Sequence, residues 1–422
     1  MTPPRTRSAT QSKVQRERAS REAPPARTRS RAASPTPFES AQHYETVALV
    51  LQGGGALGSY QCGVYEALHE SRIRPTWFAG TSIGAINAAI IAGNAPEHRV
   101  DRLREFWNTI CEPAGDFAWP FSAISSIAEW LPSSAPLGAW MNALSAIGAI
   151  AHGQRGFYSP RPISPFVYAD GSAAATSFYD TAPLKVTLER LVDFDRINHG
   201  DVRLSVGAAN ARTGNVRYFD SALESLRAEH IVASGALPPA FPAVVIDGES
   251  YWDGGTVSNT PLDYVLESDP RRDSLLLQVD LWSAGGALPK TMAEVMERQK
   301  DIQYSSRTRF GTDVVARHQK LRSALGLLLE QVPAEHLPQS LLLDLQPWLC
   351  DRVFNVIHLI YQAKQDEEEY KDYAFGAATM REHWASGVAD MRASLAQPQF
   401  FEPPPRRVGA ITHDIHRRAG DA

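Results

Sequence analysis

Between positions 46 and 92 the chain runs twice through one pattern: a short apolar strand, a glycine turn, then residues at helical spacing. The first copy is 46–52 (TVALVLQ), a near-continuous apolar run of the kind that forms a strand buried on both faces. It leads into Gly53-Gly54-Gly55-Ala56-Leu57-Gly58, after which Tyr60, Val64, Ala67 and Leu68 recur at helical spacing. The second copy is 76–79, then Gly80-Thr81-Ser82-Ile83-Gly84, then the small-residue run 83–92 (IGAINAAIIA), which can pack closely on a sheet. Alternating strands and helices predict an α/β fold with a mostly parallel central sheet. Asn94, Ala95 and Pro96 then restart a helix that turns Val100, Leu103, Phe106, Trp107 and Ile110 inward.

Further along, residues 202–209 and 215–220 flank Thr213-Gly214, and residues 243–246 and 251–252 flank Asp247-Gly248-Glu249. Both arrangements predict hairpins. Residues 275–281 (LLLQVDL) predict another buried strand, 289–330 a long charged helix, 341–345 and 354–361 one or two strands, and 362–395 a helix. Residues 117–151 stand apart. Trp119, Phe121, Trp130, Leu131, Trp140 and Met141 lie among small residues, with Glu129 as the one acidic residue and no basic one. The prolines at 120, 132 and 136 break this stretch too often for a membrane span. Two readings stay open for it: a cap that faces lipid with Trp at the interface, or an inserted helical pair packed on the core.

The chain termini differ in texture. Residues 1–40 hold 9 Lys/Arg against 3 Asp/Glu, a net of +6, and almost no large apolar residues. Such a segment cannot bury enough surface to offset its ordering entropy. The domain reading is therefore a disordered basic tail at 1–42, a catalytic domain at 43–285, a mainly helical extension at 286–396 and a loose tail at 397–422. The basic tail is either an arm for an anionic surface or an inert solvated segment. Residues 41–422 carry a net of −11, so no nucleic-acid partner is expected. Three widely spaced cysteines (Cys62, Cys111, Cys350) argue against disulfides and against a zinc site, and the N-terminus lacks a signal-peptide core. The expectation is a cytoplasmic protein with peripheral contact on a membrane or lipid surface, and with no cofactor or metal.

Gly80-Thr81-Ser82-Ile83-Gly84 fits G-x-S-x-G between a predicted strand and helix. A sharp strand-to-helix turn there projects the Ser82 hydroxyl, and Gly80 and Gly84 allow neighbouring elements to approach. A helix N-terminus adds positive partial charge where an alkoxide would form. Upstream, Gly53, Gly54 and Gly55 expose backbone N–H groups suited to an anion, either a phosphate or an oxyanion. Gly53-x-Gly55-x-x-Gly58 also spells a dinucleotide fingerprint. That needs an acid ending the second strand, which instead ends in Gly80-Thr81-Ser82. Asp253-Gly254-Gly255 follows a short strand and places a carboxylate at a loop. Asp has a reference pKa near 3.9 and is a weak base in water, but desolvation beside a serine would raise it. A Ser-His-Asp arrangement would need a late histidine, and His318, His336, His358, His383, His413 and His416 are available by order.

The runs 51–63 (LQGGGALGSYQCG), 80–84 (GTSIG) and 253–255 (DGG), in this order, resemble the patatin-like phospholipase family. The resemblance covers about residues 46–283. It implies a three-layer α/β/α fold and a lipid acyl hydrolase working through a Ser-Asp dyad without a catalytic histidine. Carried over by motif, Ser82 is the nucleophile, Asp253 the general base and acid, and Gly53, Gly54 and Gly55 the oxyanion loop. Gly58, Gly80, Gly84, Gly254 and Gly255 complete the motifs. The region beyond 285 resembles a C-terminal extension of a bacterial subgroup. Where the family often has Arg or Lys after its glycines, this chain has Leu57, which makes acyl-ester cleavage a firmer expectation than phospholipid as substrate. A non-phospholipid carboxylester or a storage polyester fits the same dyad, and a non-catalytic lipid-binding scaffold would keep the fold.

Overall fold

The computed structural model describes residues 35–112, 149, 151–333, 336–362 and 371–416. The basic tail up to 34 and nearly all of the proposed cap at 117–151 lie outside them. The described residues form one compact unit built on a nine-stranded sheet.

The strands of that sheet are β1 (Thr46–Leu51), β2 (Trp77–Thr81), β3 (Arg203–Asn210), β4 (Val216–Asp220), β5 (Val244–Ile246), β6 (Glu249–Asp253), β7 (Ser274–Asp280), β8 (Phe354–Ile360) and β9 (Ala410–Asp414). Their order is β9-β8-β7-β1-β2-β3-β6-β5, with β4 on β3. From β9 to β3 every pairing is parallel, and β4, β5 and β6 add antiparallel pairs at one end. The two expected hairpins are β3–β4 and β5–β6.

Strand β1 shows why the apolar runs had to be central. Leu49 and Leu51 enter the core on one face, while Ala48 and Val50 enter a second core on the other. With both faces covered by helices, alternation disappears and the strand reads as uniformly apolar. The first core is covered by α1 (Ser59–Glu70), α2 (Ile83–Ala92) and α3 (Arg99–Cys111), with Leu103, Phe106, Trp107 and Ile110 fully buried. Cys62, Cys111 and Cys350 are all free and buried.

The C-terminal region departs from its expected outline. Strand β8 pairs with β7 and β9 with β8, so the boundary expected at 285 falls inside one continuous sheet. Residues 397–422 are not uniformly a loose tail, because β9 lies within them. Its backbone groups find ladder partners on β8, a cue that Pro- and Arg-rich composition hides. Residues 341–345 are helical, within Gln339–Leu345, rather than a strand. Leu341 and Leu343 remain exposed, so no two-sided burial selects a strand there. The long helix α4 spans Met292–Gln331, and α5 spans Ala377–Leu395.

Helix α5 docks on α1 through a reciprocal glycine contact. A Cβ on Gly63 would lie 1.9 Å from the Trp384 carbonyl oxygen, and one on Gly387 2.1 Å from that of Tyr60. Only bare backbone allows the two helices this approach. The Tyr60 hydroxyl donates to Asp390 at 2.8 Å, and Arg104 lies over the Trp384 ring. Substitution Gly387→Ala is therefore expected to destabilise the whole unit by about 3 kcal/mol, measured by denaturant titration. An unchanged midpoint would show that α5 is not part of the cooperative core.

Candidate active site

Strand β3 has two edges. Strand β4 pairs along 205–209 on one of them. Strands β2 and β6 share the other end to end, with Thr81 opposite Gly207 and Asp253 opposite Ala208. The residue after β2 and the last residue of β6 are thereby brought together. Ser82 and Asp253 are those residues, and the Ser82 hydroxyl hydrogen-bonds the Asp253 carboxyl.

Ser82 sits at φ 56° and ψ −126°, a left-handed position rarely taken by a residue with a side chain. Its amide donates to the Ser234 hydroxyl at 3.0 Å, and that hydroxyl donates to the Gly207 carbonyl at 2.6 Å. Sharp turning demands close approach: a Cβ on Gly84 would lie 2.3 Å from the Leu51 carbonyl oxygen, and one on Gly80 2.3 Å from that of Gly84. Gly58 packs against Ile83, and Gly254 against the Gly207 carbonyl.

Asp253 is 2% exposed. One carboxylate oxygen accepts the Gly255 amide at 2.7 Å. Burial pushes its pKa from 3.8 up to about 6, against the opposing pull of the Ser82 and Gly255 hydrogen bonds. The carboxylate is thus a stronger base than a solvated Asp and remains mostly ionised at neutral pH.

The glycine loop separates into two roles. Gly53 is clasped by Asn259, its amide donating to the Asn259 carbonyl at 3.2 Å and its carbonyl accepting from Asn259 Nδ2 at 2.9 Å. Trp282 Nε1 donates to the same Gly53 carbonyl at 2.9 Å. The Gly53 N–H is therefore already engaged and is corrected from the expected oxyanion set. Gly54 and Gly55 line the cleft beside Ser82, and among the described residues their amides meet no protein acceptor. Leu57 is fully buried in the core and does not line the cleft, so its side chain does not set the charge the cleft presents.

The cleft walls are aromatic. Phe157, Tyr158, Tyr179 and Phe241 line it, with Tyr158 and Phe241 ring centroids 5.1 Å apart and Phe157 6.2 Å from Phe375. Trp282, Tyr304, Tyr373 and Phe375 also line it. Burial and the nearby Asp253 and Asp372 carboxylates push the Tyr304 phenol pKa upward, which keeps it protonated. Among the described residues the lining includes no Arg, Lys or His. The late histidines lie elsewhere: His358 pairs with buried Asp280, and His413 stacks on Phe400.

The family model described as Patatin-like phospholipase matches residues 49–266, just over half of the chain. The chain belongs to the patatin-like phospholipase family. A second model, described as Patatin phospholipase, matches residues 302–407, which contain Tyr304, Tyr373 and Phe375 of the cleft wall. A Caenorhabditis elegans protein named as a putative patatin-like phospholipase domain-containing protein is 31% identical over 83 residues, 18% of this chain and 8% of its own length. Patatin-like phospholipase domain-containing protein 6 of Homo sapiens is 34% identical over 83 residues, 19% of this chain and 6% of its own length. Lysophospholipase nte1 of Aspergillus terreus is 45% identical over 67 residues, 14% of this chain and 4% of its own length. The chain thus spans under a tenth of these curated relatives. Among solved structures, VipD from Legionella pneumophila aligns at 15% identity over 84% of this chain and 67% of its own, with a TM-score of 0.35.

Several positions in this patatin-like site escaped the motifs. Ser234, Asn259 and Trp282 hold the serine turn and the glycine loop, yet each is a lone polar or aromatic residue with no spacing signal. Gln52, at the end of the first apolar run, accepts the Leu281 amide at 2.7 Å through Oε1. Its polarity at the end of an apolar run was a faint cue.

The raised Asp253 pKa carries a stability consequence. Shifting the pKa from 3.8 to about 6 makes ionisation of the folded state unfavourable by on the order of 3 kcal/mol. Asp253→Asn keeps an acceptor for Gly255 and removes the buried charge. It is expected to melt higher than wild type at pH 8, with the gain shrinking as pH falls below about 6 and vanishing below 3.8, where both states bind the proton. Equal melting at pH 8 would show that Asp253 ionises without penalty.

Proposed function

We propose that this chain is a serine acyl-ester hydrolase of lipid substrates in which Ser82 and Asp253 act as a dyad. The observation that carries the proposal is the buried Asp253 carboxyl hydrogen-bonded to a strained Ser82 hydroxyl, with the amides of Gly54 and Gly55 beside it. Asp253 takes the Ser82 proton as Oγ bonds to the acyl carbonyl carbon, whose electron pair moves to oxygen. The Gly54 and Gly55 N–H groups stabilise that oxyanion. Loss of one such donor costs on the order of 100-fold or more in rate. The carbonyl reforms, the ester C–O bond breaks, and Asp253 returns the proton to the departing alcohol. A water then loses a proton to Asp253 as its oxygen bonds to the acyl carbon; the acyl C–Oγ bond breaks, Asp253 returns the proton to Ser82 Oγ, and the fatty acid leaves.

The aromatic cleft suits an apolar acyl chain. The lining presents no cation among the described residues, so the site reads the ester carbonyl rather than an anionic head group. This favours a broad acyl-ester range, non-phospholipid carboxylesters included.

A fluorophosphonate probe is expected to label Ser82, and Ser82→Ala to lower p-nitrophenyl ester turnover by on the order of 1,000-fold or more. Labelling at another residue, or turnover retained in folded Ser82→Ala, would remove the assignment. As only ionised Asp253 accepts the proton, kcat/KM should rise with pH along a limb centred near 6 and level off above it. A limb near 4 would instead mean a solvated carboxylate.

A further inference from the structure

Helix α4 and the segment after residue 370 belong to the C-terminal extension, yet both line the cleft, and the second also reaches the glycine loop. The Asp372 carbonyl accepts the Ala56 amide at 2.9 Å. A Cβ on Gly55 would fall 2.3 Å from that same oxygen, and Gly55 has φ +56°. The extension backbone therefore presses directly on Gly55, which lines the cleft, and on its neighbour Ala56.

That backbone is held by charge. Glu297, Lys300, Asp301 and Tyr304 fall at i, i+3, i+4 and i+7 on α4, one face of the helix. Lys300 Nζ donates to both oxygens of Asp372, at 2.9 and 3.2 Å, and lies 5.1 Å from the Tyr373 ring centre. Lys371 is 6% exposed and pairs with Asp301 at 2.8 Å and Glu297 at 3.0 Å. Lys371 Nζ also lies 5.5 Å from the centre of the Trp282 ring, whose Nε1 holds the Gly53 carbonyl. The Lys371 pairs, desolvated to this degree, fix position better than exposed ones.

We propose that the C-terminal extension is a working part of the catalytic centre: the Lys300–Asp372 and Lys371–Asp301/Glu297 pairs hold the Asp372 carbonyl against the glycine loop and so aim the Gly54 and Gly55 amides. Lys300, Asp372 and Lys371 are positioning residues and make no contact with the reacting atoms. This rests on Gly54 and Gly55 being the oxyanion donors. A donor displaced by a fraction of an ångström loses much of its effect on the transition state but little on ground-state binding.

The test uses the full chain and four variants: Lys300→Met, Asp372→Asn, Lys371→Met and the exchanged pair Lys300→Asp/Asp372→Lys. A trifluoromethyl ketone, which forms an oxyanion adduct with a serine, reports the oxyanion donors, and amide hydrogen exchange reports Ala56, Gly54 and Gly55. Each single variant is expected to weaken ketone inhibition and lower kcat on the order of 10-fold, with KM changed less than about 2-fold. The Ala56 amide should exchange faster, the pH limb should stay in place, and the exchanged pair should recover most of the loss. Ketone inhibition equal to wild type in the single variants, or Ala56 protection unaltered in them, would overturn the proposal. So would an exchanged pair no better than the singles. Lys300 is partly exposed, so its variant folds even where Lys371→Met does not. A wild-type chain that hydrolyses no ester and takes no probe would end the dyad assignment, while the Ala56 exchange rates would still decide whether the clamp exists.

Discussion

The site depends on one edge of strand β3. Two strands end against it head to head, β2 delivering Ser82 and β6 delivering Asp253. The carboxylate is buried by that arrangement, and its raised basicity is a product of the burial. A hydroxyl is a poor nucleophile unless its proton has somewhere to go. Here the Asp253 carboxyl is held beside the Ser82 hydroxyl by main-chain pairing on β3, a firmer mount than a loop would provide.

Around this edge the molecule spends backbone geometry to keep the serine turn sharp. Ser234 holds the Ser82 amide, Gly84 lets the turn lie on β1, and Asn259 with Trp282 clasps Gly53. The same close-contact logic joins the extension to the rest. Gly63 and Gly387 let α5 lie on α1, and β8 and β9 continue the parallel sheet from β7. The extension is thus integral to the core, and its residues Tyr304, Tyr373 and Phe375 line the cleft.

Much of the fold was legible in local pattern. The runs at 46–52 and 275–281 announced central strands because strands covered on both faces must be apolar throughout. The turns at Thr213-Gly214 and Asp247-Gly248 announced hairpins because few residues tolerate that backbone. Strand β9 was hidden in Pro- and Arg-rich sequence, since an edge strand needs only hydrogen-bond partners on one side. Residues 341–345 were misjudged for the converse reason: a leucine run signals burial, and these leucines stay largely in solvent. Within the site, Ser82, Asp253 and the glycines were legible because each sits in a motif, whereas Ser234, Asn259 and Asp372 act through single contacts that leave no pattern.

By itself the sequence determined that this chain makes an α/β sheet with a serine on a strand-to-helix turn, a glycine loop before it and an aspartate ahead of two glycines. Those are matters of side-chain type, backbone tolerance and short-range period, all local properties. Only the tertiary structure decided that the aspartate is desolvated beside the serine, that the Gly53 amide is consumed by Asn259 while its two neighbours face the cleft, and that a carbonyl from residue 372 rests on the loop. Burial and hydrogen-bond partnership across hundreds of residues exist only once the chain has closed on itself.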